Sequence, residues 1–183
     1  RALTHKSFPN ENRNLNLKDN ERLEFLGDSV LSLSVSTYIF NKFSDFPEGE
    51  LAKMRAVIVS APILAEAAKR IELGQFLFLG KGEEMTGGRE RDSILADTME
   101  AIFGALYLDQ GFTAAADFIL ELLKIDIINV AEGNHIQDYK TMLQEVIQEN
   151  GNHRPEYEVV DEEGPDHNKT FIVAVKIEDN SLG

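Results

Sequence analysis

The fold is decided by one stretch near the amino terminus, Asn20-Glu21-Arg22-Leu23-Glu24-Phe25-Leu26-Gly27-Asp28-Ser29-Val30-Leu31. Its apolar residues repeat at helical spacing, and the series continues beyond the stretch, at Leu23, Leu26, Val30 and Leu33. This periodicity predicts a helix that begins at Asn20, a residue type suited to the N-cap, and runs to about Lys42.

Acidic residues interrupt two segments that are otherwise strongly apolar. At 100° per residue, Glu21, Glu24 and Asp28 fall within an arc of about 60° on one helix face. A second pair, Asp97 and Glu100, stands one helical turn apart between Ile, Leu, Ala and Phe residues. Because that second helix has little other polar surface, at least one of the pair is expected to face the interior or a crevice.

Grouped carboxylates in an apolar setting need a counter-charge, since burying like charges together costs several kcal/mol per ion. With no Cys in the chain and no His near these acids, an all-oxygen site would select a hard cation, Mg²⁺ or Mn²⁺. Such a site suits the hydrolysis of phosphate esters. The alternative is that these acids form solvated stripes or pair with Arg22, Arg55 or Lys53, and the pattern by itself favours neither. Glu48, at the start of another predicted helix, is accounted for by the helix dipole alone.

The composition is that of a globular protein, but its charge argues against a polyanionic partner. The 183 residues hold 18 Lys+Arg and 32 Asp+Glu, for a net charge of −14, whereas nucleic-acid binding normally needs a basic surface. The absence of Cys excludes disulfides, thiolate metal sites and Cys nucleophiles. No apolar run reaches the roughly 18 residues of a membrane span. Without a signal-like segment, and with no initiator Met, the chain is expected to be cytoplasmic and trimmed.

The pattern changes near residue 137, which divides the chain into a helical part and a mixed part. In the helical part, residues 1–19 and 74–91 are predicted to be loops, and helices are predicted at about 20–42, from Pro47, 62–73, 92–108 and 113–130. In the mixed part, a helix from Asp138 to Asn150 is followed by two alternating strands, Tyr157–Val160 and Thr170–Val175.

The opening stretch resembles the signature of the ribonuclease III family. The segments Ala2–Ser7 and Ser93–Ala101 are similar to other parts of that family in the same order and spacing. The segment Asp138–Glu145 resembles the first helix of the double-stranded-RNA-binding domain that follows in bacterial members. The resemblance implies a mainly α protein, with an all-α endonuclease domain at 1–136 and a partial α+β (α-β-β) RNA-binding domain at 138–183.

The resemblance also implies a reaction and its residues. The family hydrolyses double-stranded RNA with Mg²⁺ (Mn²⁺ as substitute), leaving 5′-phosphate and 3′-hydroxyl ends, as a homodimer in which Phe25 belongs to the interface. By this resemblance, the magnesium ligands of the family match Glu24, Asp97 and Glu100. The positions usually called catalytic match Asp28 and Glu100, and Asp28 is assigned to the metal as well. Two further acidic residues that line the cleft of the family match Glu21 and Glu48. Residues of the second domain implied to contact RNA are Thr141, Gln144, Glu145 and His167.

The sequence departs from the family pattern at both ends. A helix usually precedes Ala2–Ser7, and a third strand and a second, Lys-rich helix usually follow the two predicted strands. Their absence predicts weakened affinity for the duplex with the catalytic residues intact. Two other classes compete: a family-like RNA-binding or ribosome-associated protein without catalysis, and an all-α, Mg²⁺-dependent nucleotide pyrophosphatase. Retention of all six acids argues against the first, and the signature stretch with its appended second part argues against the second.

Overall fold

The computed structural model describes residues 1–133, 156–163, 170–177 and 180–181. The chain forms two compact units, Arg1–Asn134 and His135–Gly183. The described helices of the first unit are α1 Ser7–Glu11, α2 Glu21–Lys42, α3 Glu48–Ile58, α4 Ala61–Arg70, α5 Lys81–Met85, α6 Asp92–Leu122 and α7 Lys124–Ala131. This confirms the mainly α class. The boundary predicted at residues 136–138 lies outside the described residues and stays a prediction.

Two long helices, α2 and α6, form the centre of the first unit, and α4 packs on α6. The core between them is aliphatic, and its largest fully buried side chain is Phe103 on α6. Leu23 and Val30 of the opening stretch are buried as their spacing predicts, whereas Leu33 is more than half exposed. The apolar face of α2 is therefore wider than this unit's core requires. No helix in the described part of the chain is long and apolar enough to cross a membrane.

Glycine sets how closely α2 and α6 approach each other. A Cβ on Gly27 would stand 1.8 Å from the carbonyl oxygen of Glu100, and one on Gly104 would stand 2.2 Å from that of Leu23. Both distances are far below van der Waals contact, so the two backbones touch where only hydrogen atoms fit. This crossing lies at the acidic ends of both helices.

The two segments predicted as loops contain short helices instead. Residues 1–19 include α1 and a 3₁₀ turn, and residues 74–91 include α5 and two 3₁₀ turns. The segments support each other: the Glu11 carboxylate accepts hydrogen bonds from the backbone N–H groups of Lys81, at 2.7 Å, and Gly82, at 3.2 Å. Their order comes from contacts about 70 residues apart in sequence, which local patterns do not reveal.

Gly111 interrupts α6 where the sequence predicts that a helix ends. Its backbone is non-helical, with a φ of +83° that is strained for other residues, and two helical segments meet there at a kink. The helix predicted over 113–130 is divided into the end of α6 and the separate α7. Asn20 is the N-cap residue of α2, but its side chain donates to the carbonyl of Ala2 at 3.1 Å rather than capping the helix.

The second unit contains an antiparallel sheet of three strands in the order β1 Glu156–Glu163, β2 Thr170–Ile177 and β3 Asn180–Ser181. The register of β1 on β2 pairs Val159 with Val173 and then shifts before Asp161. Both predicted strands are present. The expectation that the chain ends before a third strand is wrong, because Lys176 and Ile177 pair with Ser181 and Asn180. The helix predicted over 138–150 lies outside the described residues.

Candidate active site

The crossing of α2 and α6 brings five of the predicted carboxylates to one region of the first unit. Glu21, Glu24 and Asp28 occupy the first two turns of α2, and Asp97 and Glu100 the first turns of α6. The close contact of Gly27 with the Glu100 carbonyl places the two sets side by side. Glu24 and Glu100 are half-buried, whereas the other three are exposed. We call these five residues the carboxylate cluster.

The electrostatics of the cluster indicate that its members lie within range of one another's charges. Burial, followed by the charges of Asp28, Asp97 and Glu24, raises the pKa of Glu100 to about 8. Burial, with the charges of Asp97 and Glu21, also raises the pKa of Glu24. These carboxylates therefore repel one another across the boundary between the two helices, and the repulsion is strongest at Glu100.

The pKa of Asp97 is raised as well, chiefly by partial desolvation. The Lys6 ammonium and the protonated form of His5 oppose that effect, since their charges act to lower the pKa of Asp97, although burial lowers the pKa of His5 itself. The Lys6 ammonium is ion-paired with the Glu21 carboxylate at 3.0 Å. These partners differ from the three cations, Arg22, Arg55 and Lys53, that the sequence offered as alternatives to a metal.

The cluster fits a divalent cation in its chemistry. Its donors are all carboxylate oxygens, the ligand type that hard ions prefer, and the mutual repulsion at Glu24 and Glu100 is what a cation would relieve. Among the residues that the structure describes, no three acidic or His side chains converge tightly enough to enclose a metal ion. The fit therefore lies in donor type and charge rather than in a preformed cage.

Glu48 does not join the cluster within this chain. It is the first residue of α3 and is exposed. Glu48 lines a small pocket together with Phe40 and Arg55, near the far end of α2. The grouping of Glu48 with the five other acids, implied by the resemblance, is thus not produced by the fold of one chain.

Sequence reasoning missed His5 and Lys6 as residues of this region. They lie in the segment Ala2–Ser7, whose pattern was noted for its resemblance but carried no predicted role. Their position depends on a long-range backbone pairing of Thr4 with Phe78. The residues implied to contact RNA, Thr141, Gln144, Glu145 and His167, lie outside the described residues, so their roles stay predictions.

Comparison with known proteins assigns the family. The ribonuclease-III-like family model matches residues 1–127, and the double-stranded RNA binding motif model matches residues 139–183. The chain belongs to the ribonuclease III family.

Relatives and a solved structure agree with this. The chain is 55% identical over its whole length to ribonuclease 3 of Caldanaerobacter subterraneus subsp. tengcongensis and 49% identical to that of Oceanobacillus iheyensis, and it covers 79% of each. The nuclease domain of ribonuclease III from Campylobacter jejuni superposes with a TM-score of 0.63 at 46% identity, covering 67% of this chain and 82% of that one. That structure is described as showing flexibility in a region involved in dimer formation.

Membership of the family makes the chain a double-stranded-RNA-specific endoribonuclease, and its second unit carries a double-stranded-RNA-binding motif. Enzymes of this family generally depend on a divalent metal. The two competing classes, a non-catalytic relative and a nucleotide pyrophosphatase, are set aside by the same matches.

Proposed function

We propose that this endoribonuclease cleaves duplex RNA at the carboxylate cluster with Mg²⁺, leaving 5′-phosphate and 3′-hydroxyl ends. The observation that carries the proposal is the grouping of five carboxylates where the backbones of α2 and α6 touch, an arrangement in which burial and three neighbouring charges raise the pKa of Glu100 to about 8. An arrangement that destabilises its own charges in this way is typical of functional sites. A structural role for Glu100 would be better served by an uncharged residue, because the repulsion costs stability.

Glu24, Asp97, Glu100 and Asp28 are the residues that would hold the ion. Bound there, Mg²⁺ supplies activation of water and stabilisation of the negative charge that develops on the phosphate and on the departing 3′ oxygen. The chain itself controls the proton on Glu100, which a pKa of about 8 retains at neutral pH. A cation held by Glu100 would compete with that proton for the carboxylate. Glu21, held by Lys6, lies at the exposed edge of the cluster, where the RNA backbone would arrive.

We also propose that the enzyme works as a homodimer through the outer face of α2. Phe25 is 79% exposed, and Leu33 and Phe40 on the same helix are also more than half exposed. Large apolar side chains left in water along one helix indicate a surface that another protein covers. A second chain packed on α2 would account for this exposure. In such a dimer, Glu48 of one chain could join the carboxylate cluster of the other.

The proposal is tested with a long duplex RNA incubated with the protein in MgCl₂, in MnCl₂ and in EDTA. We expect cleavage in Mg²⁺ and Mn²⁺, none in EDTA, and products whose 5′ ends are degraded by a 5′-phosphate-dependent exonuclease. The variant Asp97→Asn is expected to lose cleavage while keeping its helical circular dichroism. Cleavage that continues in EDTA, or fragments that resist the exonuclease, would refute the metal or the end chemistry respectively.

A further inference from the structure

The basic side chain of Lys6 lies at the exposed edge of the carboxylate cluster, next to Glu21. Its ammonium is 3.0 Å from the Glu21 carboxylate, and the charges of Glu24 and Asp97 also act on it. The effect is mutual, because the Lys6 charge partly opposes the rise in the pKa values of Glu24 and Asp97. Since charge effects fall with distance, Lys6 lies close to the acids of both helices rather than to Glu21 alone.

The backbone that carries Lys6 is fixed. The N–H of His5 donates to the carbonyl of Phe78 at 3.2 Å, and the N–H of Phe78 donates to that of Leu3 at 2.9 Å. One residue beyond Lys6, the Ser7 hydroxyl accepts a hydrogen bond from the N–H of Gly80 at 2.9 Å. Lys6 therefore projects from a backbone anchored on both sides, and only its flexible side chain is free to change partner.

The ion pair that Lys6 makes is weak and easily exchanged. The side chains of Lys6 and Glu21 are 59% and 54% exposed, and ion pairs that exposed contribute little because water screens them. Lysine binds phosphate well as a point charge. A phosphate that approaches a cluster of carboxylates must also overcome their repulsion, which a cation at the same edge offsets.

We propose that Lys6 binds a phosphate of the RNA backbone next to the cleaved bond, exchanging its ion pair with Glu21 for one with the substrate. This inference rests on the proposed cleavage at the carboxylate cluster. Lys6 positions substrate and takes no part in proton transfer. Its loss weakens binding of the duplex and leaves the chemical step intact.

The chain offers a matched control. Lys124 and Glu121 form another exposed ion pair, at 3.5 Å with exposures of 63% and 78%, on the α6–α7 side of the unit. The experiment measures KM and kcat for duplex cleavage in MgCl₂ over a series of KCl concentrations, with wild type, Lys6→Gln, Lys6→Arg and Lys124→Gln. Thermal unfolding of each variant reports whether it folds.

For Lys6→Gln we expect KM to rise about three- to tenfold, the effect of one lost charged contact, with kcat within twofold of wild type. The slope of log KM against log[KCl] should become shallower by about one, as expected for one phosphate contact removed. Lys6→Arg should restore both quantities, and Lys124→Gln should change neither.

An unchanged salt slope in Lys6→Gln, or an equal effect of Lys124→Gln, would overturn the phosphate contact. A fall in kcat with KM unchanged would also overturn it, since Lys6 would then act on the carboxylates alone. If wild type fails to cleave duplex RNA, the proposed function has failed, and the contact is then judged separately by fluorescence anisotropy of a labelled duplex in EDTA. There too, a shallower salt slope in Lys6→Gln supports the contact and an equal slope refutes it.

Discussion

At the scale of single residues, Glu100 lowers the free energy of unfolding because its carboxyl group lies beside other carboxylates. Its carboxyl group is half-buried beside Asp28, Asp97 and Glu24, and its pKa is raised from 4.5 to about 8. Below pH 4.5 the folded and unfolded chains both carry the proton, so Glu100 costs nothing. Between pH 4.5 and 8 the unfolded chain has lost the proton and the folded chain retains it, so stability falls as the pH rises.

The variant Glu100→Gln is therefore expected to be more stable than wild type in EDTA, by about 1–2 kcal/mol at pH 8.5 after allowance for solvent screening. The difference should shrink towards pH 5. Urea unfolding followed by circular dichroism at both pH values measures it. The exposed Glu90 provides the control, since Glu90→Gln should show no such pH-dependent gain. A Glu100→Gln protein no more stable than wild type at pH 8.5 would contradict the buried, repelled carboxylate.

Two buried hydroxyl groups, those of Thr98 and Ser34, differ in their hydrogen bonding. The Thr98 hydroxyl in α6 is fully buried and has no hydrogen-bond partner among the residues that the structure describes, whereas that of Ser34 in α2 donates to the carbonyl of Val30 at 2.7 Å. Replacing an unsatisfied hydroxyl with a methyl group of the same shape removes a desolvation cost. Thr98→Val should leave stability unchanged or raise it by up to about 1 kcal/mol, while Ser34→Ala should lower it by a similar amount.

Chemical denaturation of both variants, with the midpoint and slope fitted together, makes this comparison. If Thr98→Val is destabilised as much as Ser34→Ala, then Thr98 has a hydrogen bond that the structure lacks.

At the scale of elements, the site depends on how closely α2 and α6 cross. The carboxylates sit on two helices that Gly27 and Gly104 allow into backbone contact. Gly104 does not itself carry a functional group, yet a Cβ there would stand 2.2 Å from the carbonyl oxygen of Leu23. Separating the helices would move Glu24 and Asp28 away from Asp97 and Glu100.

We expect Gly104→Ala to lower stability by about 1–3 kcal/mol. Cleavage should fall further than the folded fraction, by about ten- to a hundredfold, since small displacements of catalytic groups are costly. In Gly49→Ala, by contrast, the new Cβ meets nothing within 4 Å in α3, so stability should rise by a few tenths to about 1 kcal/mol. Calorimetry and cleavage kinetics at a temperature where each variant is folded test both. Normal activity in a folded Gly104→Ala protein would show that the crossing distance does not position the site.

The limits of prediction from sequence are clearest at this scale too. Helices with strong periodicity, such as α2, were predicted to within a residue, and the carboxylate pairs on them followed from spacing. The short helices α1 and α5 were not, because they depend on Glu11 and on contacts about 70 residues apart. The same long-range pairing places His5 and Lys6, and the fold of one chain leaves Glu48 apart from the other acids. Such arrangements follow from packing and not from any local pattern.

At the scale of the whole molecule, the net charge of −14 argued against RNA, whereas the family and its second domain establish RNA as the substrate. The positions of the charged residues reconcile the net charge with an RNA substrate. Part of the negative charge is concentrated in the carboxylate cluster, where we propose that it holds a cation, and Lys6 provides positive charge at the same edge. A sum over the chain cannot distinguish such a site from a uniformly acidic surface.

The proposed dimer is also tested at this scale. Because Phe25 is 79% exposed on α2, Phe25→Asp should convert a dimeric protein to monomers, as charge in an apolar interface is strongly unfavourable. Sedimentation velocity at micromolar concentration measures the change. Met85→Asp is the control, since Met85 is 87% exposed on a different helix, α5, and its replacement should leave the dimer intact. A wild-type protein that sediments as a monomer at all concentrations would exclude this interface.

The central proposal is that the carboxylates of α2 and α6 hold the Mg²⁺ ion on which cleavage of double-stranded RNA depends. Its most direct test is single-turnover cleavage of an end-labelled duplex across a titration of MgCl₂, with wild type, Glu100→Gln and Glu90→Gln. We expect a saturable, Mg²⁺-dependent rate for wild type, the same curve for Glu90→Gln, and a loss of at least about a hundredfold for Glu100→Gln at saturating Mg²⁺. A Glu100→Gln rate within twofold of wild type would contradict it.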